Sequence, residues 1–143
     1  MVMNLLDECL EALGQDKSVF YDSSKAHIFK SFEQQFPITN WRRIDWKNFY
    51  RKIEVESASH LQTVMKKTFS EDDLNQPMFI LWDEASLPVV ETNLNNALRV
   101  IDDVTAVSFD TWFFSPSIGY EIEFYHEGEI TIGLISSKTT EKF

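Results

Sequence analysis

Hydrophobic positions follow two rhythms along this chain, helical at the front and alternating at the back. In "MNLLDECLEAL" (residues 3–13), Leu5, Leu6, Cys9, Leu10 and Leu13 recur at three- and four-residue intervals. That spacing predicts one helical stripe, and Gly14 is a natural stop. "SVFYD" reads as a short extended piece. "SSKAHIFKSFEQQF" then repeats Ile28, Phe29, Phe32 and Phe36 beneath capping serines and ahead of Pro37, which predicts a second helix. Residues 41–56 admit two readings. Trp46, Phe49, Tyr50 and Ile53 have helical spacing, while "KIEVE" alternates as a strand does. "SASHLQTVMKKTF" offers Leu61, Val64, Met65 and Phe69 as another helical face under a serine cap, and the polar "SEDDLNQP" reads as a loop.

The remainder is mostly strand-like. "MFILW" is apolar throughout, as a strand buried on both faces would be. After a turn in "DEASLP", Thr92 is placed to cap a helix with Leu94, Ala97, Leu98 and Ile101 on its face. "AVSFDTWFF" alternates, "SPSIG" turns, and "YEIEFYHEGEITIGLI" (120–135) is a hairpin. The predicted class is α+β, with N-terminal helices packed on a mainly antiparallel sheet that ends in a C-terminal β-meander. No linker, repeat or low-complexity tract interrupts residues 1–143, so a single domain is expected.

The hairpin register follows from its apolar positions. A two-residue turn at Glu127 and Gly128 would put the apolar sets of the two strands on opposite faces. A three-residue loop, "HEG", with Gly128 in a left-handed conformation, pairs Tyr125 with Glu129 instead. Tyr120, Ile122 and Phe124 then share a face with Leu134, Ile132 and Ile130. Glu121, Glu123, Tyr125, Glu129 and Thr131 take the other face. The same alternation sends Val107, Phe109 and Phe113 inward, and Ser108, Asp110, Trp112 and Phe114 outward. The expectation is a solvent-facing sheet surface that mixes carboxylates with large rings, unless a helix, residues 3–13 being one candidate, lies across it. Aromatic anchors inside a polar rim are what protein interfaces use.

Composition sharpens this picture. Hydrophobic residues are 43% and aromatics 14% of 143, which suits a globular chain with a real core. The start has no basic n-region and no apolar run approaches the roughly 20 residues of a membrane helix. One cysteine allows no internal disulfide. A cytoplasmic protein with no membrane contact is expected. The net charge is −10, and its distribution is uneven. Residues 1–69 carry 10 basic and 9 acidic side chains, residues 70–143 carry 3 and 14. Such a field repels phosphate backbones, so direct nucleic-acid binding is not expected, and it steers a basic protein toward the acidic half. Acidic soluble proteins also carry charge of this kind for solubility alone.

Catalytic templates find little support. Cys9 lies in a leucine-rich stripe, as an inert core thiol would. His27, His60 and His126 are scattered without metal-ligand spacing, and four glycines build no phosphate-cradling loop. No cofactor is expected. "HEGE" lacks the second histidine of H-E-x-x-H. The one enzymatic alternative is a carboxylate-dependent divalent-metal hydrolase using Asp110, Glu121 and Glu123. The lysine that such acid clusters add is replaced here by Glu123 itself. Among the other acids, "EDD" (71–73) reads as a solubilising loop, and Asp102 and Asp103 read as a helix C-terminus, where negative charge is mildly unfavourable. "WRR" (41–43) reads as surface salt bridging. Asp83 and Glu84 should emerge at the end of a buried strand, where sites often gather.

"LWDE" (81–84), "IDDVTAVSFDTWF" (101–113) and "IEFYHEGEITIGL" (122–134) together resemble immunity proteins of bacterial contact-dependent growth-inhibition and related polymorphic-toxin systems, over roughly residues 78–135. The resemblance implies a non-enzymatic cytoplasmic protein that binds and neutralises the C-terminal toxin domain of a delivered effector. Toxin domains of these systems are often nucleases, whose grooves must be basic. On the residue reading, Trp112, Phe114 and Tyr125 are the candidate toxin-binding anchors. Asp110, Glu121, Glu123 and Glu129 supply complementary charge, with Asp83 and Glu84 beside them.

Overall fold

The structure, a computed structural model, describes residues 4–36 and 52–134. In chain order the elements are α1 (Leu5–Leu13), β1 (Ser18–Phe20), α2 (Asp22–Gln35), β2 (Lys52–Val55), α3 (Ala58–Thr68), α4 (Glu71–Leu74), β3 (Pro77–Trp82), β4 (Val89–Asn93), α5 (Leu94–Arg99), α6 (Ile101–Thr105), β5 (Thr111–Ser115), β6 (Tyr120–Phe124) and β7 (Ile130–Leu134). The strands form one antiparallel sheet ordered β1-β4-β3-β5-β6-β7-β2. This is the α+β arrangement that the hydrophobic rhythms predict, with β5, β6 and β7 as the terminal meander.

Local chemistry explains most element ends. Asn4 Oδ1 accepts from Asp7 N at 2.8 Å to open α1, and Gly14, at φ 76°, closes it. Ser57 caps α3 as expected, by accepting from the His60 N–H. Three expectations need correction. "SEDDLNQP" is not all loop, because Ser70 and Asp73 form a reciprocal capping box that starts the short α4. Thr92 is not a helix cap. It lies in β4, an unforeseen strand, and Asn93 caps α5 by accepting from Asn96 N at 2.8 Å. Asp102 and Asp103 stand in the first turn of α6 rather than at a helix C-terminus, so their charge is favourably placed. The "WRR" stretch and most of the ambiguous 41–56 segment lie outside the described residues; of the latter, "KIEV" is strand β2.

The sheet buries both faces. On one side Met78, Ile80, Trp82, Val90, Phe113, Ile122 and Ile132 pack against Cys9, Leu13, Leu61, Met65, Leu94 and Val104 of the helices. Trp82 Nε1 donates to the Val104 carbonyl at 3.0 Å, which satisfies the one polar atom of a buried indole. On the other side α2 lays Phe32 and Phe36 over Leu81, Val89, Trp112 and Phe114. The stripe read in the sequence at Ile28, Phe29, Phe32 and Phe36 thus finds its counterpart in the second face of the sheet.

Candidate functional site

The hairpin register is the one derived from the apolar pattern: Tyr120 opposes Leu134, Ile122 opposes Ile132, and Phe124 opposes Ile130. Gly128 has φ 101°, and Tyr125 N donates to the Glu129 carbonyl at 2.9 Å, closing the three-residue loop. The shared face of Trp112, Phe114, Glu121, Glu123 and Thr131 is therefore real. Its predicted exposure is not. Trp112, Phe114, Glu121 and Glu123 are all buried. The cover is α2 rather than α1. Phe32 lies 5.7 Å from the Trp112 ring and 5.3 Å from the Phe114 ring, and Phe36 lies 6.0 Å from Phe114.

Burial changes the chemistry of those glutamates. Glu123 Oε2 accepts from Trp112 Nε1 at 3.0 Å. Glu121 is fully buried, and neither carboxyl oxygen has a hydrogen-bond partner among the described residues. Desolvation, reinforced by the neighbouring Glu123, pushes its pKa well above the ordinary carboxylate value. Asp110 stands beyond the start of β5, whereas Glu121 pairs with Phe114 toward the strand's other end, so the proposed metal triad does not assemble. Among the described residues no group of three or more His, Cys, Asp or Glu is placed to hold a metal ion.

What the structure does bring together lies at one end of the sheet. Trp82, Thr111 and Phe124 are consecutive partners across β3, β5 and β6. The 83–88 connection, residues 106–110 and the 125–129 loop therefore meet there. Asp83 Oδ1 accepts from Ser108 Oγ at 2.5 Å and from Asp110 N at 3.3 Å. Asp110, itself buried, accepts from His126 N at 2.8 Å, and its carboxylate lies 3.0 Å from His126 Nδ1. These bonds pin the hairpin loop to the root of β5. Lys25 of α2 reaches over to donate to the Ala85 carbonyl at 2.6 Å and to the Leu87 carbonyl, tying down the third connection.

On that scaffold stands an aromatic group. Phe109 is 79% exposed, the most open large hydrophobic side chain among the described residues. Its ring lies 5.7 Å from His126, which in turn lies 4.3 Å from Tyr125. The inward placement expected for Phe109 is thus overturned. β5 begins only at Thr111, so strand alternation does not extend back through residues 106–110. At this end Glu84, Glu127 and Glu129 are exposed, and Asp83 and Tyr125 are half-buried. Of the nine residues named from sequence, Asp83, Glu84, Asp110, Tyr125 and Glu129 gather at this end. Trp112, Phe114, Glu121 and Glu123 lie inside. Phe109 and His126 were missed as part of the cluster. The available signal was the "SFD" run after a helical stretch, where a ring has no assured place in the core.

A comparison with curated proteins gives no match. A family model does match, over residues 3–133, described as CdiI immunity protein, EcoliA0-like. That span takes in nearly every described element, from α1 to the penultimate residue of β7, and extends well beyond the 78–135 stretch that carries the resemblance in sequence. The chain belongs to the CdiI immunity protein family.

Proposed function

We propose that this immunity protein neutralises a cognate toxin domain by docking it on the acidic, aromatic end of the sheet. The observation that carries the reading is Phe109, 79% exposed with its ring near that of His126, at the sheet end where Asp83, Glu84, Asp110, Glu127 and Glu129 also stand. A large ring held in water by a fixed scaffold gains most from desolvation by a partner. The Asp83, Asp110 and His126 bonds supply that rigidity, so little ordering cost remains on binding. The surrounding charge suits a basic partner, and a nuclease, whose groove must hold phosphates, is the toxin class that fits best. Action in the cytoplasm agrees with a single cysteine held as a buried thiol. No helix among the described residues is long and apolar enough to cross a membrane.

The test is protection of a toxin-challenged cell. Phe109→Ala combined with Glu84→Lys alters two exposed side chains, so its thermal transition should match wild type while protection is lost. Protection at the wild-type level from this variant would overturn the surface.

A further inference from the structure

Asp110 decides how the His126 ring can be used. Its Oδ1 accepts the His126 backbone N–H at 2.8 Å and lies 3.0 Å from Nδ1, which assigns the ring hydrogen to Nδ1. The other nitrogen, Nε2, keeps its lone pair and stands 4.0 Å from Glu127 Oε2. Both side chains reach solvent, the imidazole at 40% and the Glu127 side chain at 68%. Among the described residues the titratable groups around the ring are Asp110, Glu127 and Tyr125. Asp83 and Glu129 stand one step further, bonded to the backbone N–H groups of Asp110 and Tyr125. Two acceptors that face each other at this distance lack a hydrogen between them. A proton on Nε2 supplies one, and so does an N–H group brought by a guest. We propose that a lysine ammonium of the toxin domain bridges His126 Nε2 and Glu127, in competition with that proton. The proposal deepens the docking reading above and rests on it, because both side chains belong to the loop at that end of the sheet.

The choice of guest follows from the two acceptors. An anion would meet two electron-rich groups, and an apolar side chain would take both from water without pairing them. Guanidinium presents a flat fork that matches the two oxygens of one carboxylate. An ammonium is a compact donor with three hydrogens, and it can give one to each of two facing acceptors. Phe109, whose ring lies 5.7 Å from the imidazole, offers the aliphatic stem of such a lysine an apolar neighbour. Proton and ammonium exclude each other. An imidazolium turns its own N–H toward Glu127 and repels the guest, so docking weakens as pH falls through the range in which imidazoles titrate.

The bare nitrogen can be read on the full chain alone. With ¹⁵N-labelled histidine at about pH 8, long-range ¹H–¹⁵N spectra should show His126 as the Nδ1–H tautomer, and an Nε2–H tautomer would overturn the proposal. The second measurement is the affinity of the full chain for its cognate toxin domain, by calorimetry from about pH 8 to about pH 5. Wild type should lose at least about tenfold on the way down. His126→Asn keeps a side-chain N–H for Asp110 and has nothing in the place of Nε2. It should unfold at the wild-type temperature, bind at least about fivefold more weakly at the alkaline end, and lose most of the pH dependence. Glu127→Gln, at an exposed loop position, should weaken alkaline binding by about threefold or more. A pH-independent wild-type affinity, or a wild-type pH profile in a folded His126→Asn, would overturn the contact. Unchanged binding by Glu127→Gln would do so even where His126→Asn unfolds early. The Phe109→Ala, Glu84→Lys variant separates the two levels. Its binding as wild type would remove the docking surface itself, whereas its failure beside unaffected His126→Asn and Glu127→Gln would remove the ammonium bridge alone.

Discussion

Glu121 shows what burial does to one side chain whose face, but not whose cover, is written in the sequence. Burial, and then the neighbouring Glu123 charge, favour the neutral form of its carboxyl, which has no hydrogen-bond partner among the described residues, and its pKa stands well above 4.5. Between the unfolded and folded pKa values the native state holds the extra proton, so stability falls as pH rises through that window and is fullest below it. Glu121→Gln removes this linkage. In urea titrations its midpoint should gain on wild type progressively as pH rises from about 4.5 toward neutrality; a constant difference would show that Glu121 does not titrate with folding. Gly128 poses a separate test. No atom would meet a Cβ there within 4 Å, so Gly128→Ala costs only backbone strain at φ 101°. A loss of about 1–2 kcal/mol by urea unfolding is expected. At the same scale Cys9 is inert, its thiol pushed up to about 12 by burial and then by nearby Asp103.

Among elements, α2 decides the most. Period-2 alternation states which residues share a face, and it does so correctly for β5, β6 and β7. It does not state whether the second face is wet or covered, and antiparallel sheets do both. The two halves of the covered face, the phenylalanines of α2 and the rings of β5, lie in distant stretches of the sequence that nothing local joins. Phe32→Ala, which strips the ring that touches both Trp112 and Phe114, should cost about 3–5 kcal/mol by chemical denaturation. A cost below 1 kcal/mol would mean that α2 is only loosely seated. Asp83 and Glu84 were placed at the end of a buried strand from element order alone, and the β3 boundary agrees. Phe109 was misplaced because alternation was carried past the true start of β5.

For the whole molecule the uneven charge matters more than its sum. Asp22, Asp83, Glu84, Asp110, Glu127 and Glu129 all stand at the end of the sheet that carries Phe109, where Lys25 is committed to backbone carbonyls. On the proposed reading, association with the toxin domain should slow as ionic strength rises, and Glu84→Lys with Glu127→Lys should flatten that dependence with little change in dissociation. Stopped-flow rates across a salt series would measure both; an unchanged slope would place the contact elsewhere. The topology adds a last consequence. β1 and β2 come early in the chain yet form the two margins of the sheet, and β2 pairs with β7, among the last described residues to be synthesised. Both margins close loops spanning about half of the chain, the kind of non-local pairing that slows folding. On the proposed reading, an incomplete chain would give little protection, so a cell meeting the toxin would depend on finished copies held in stock.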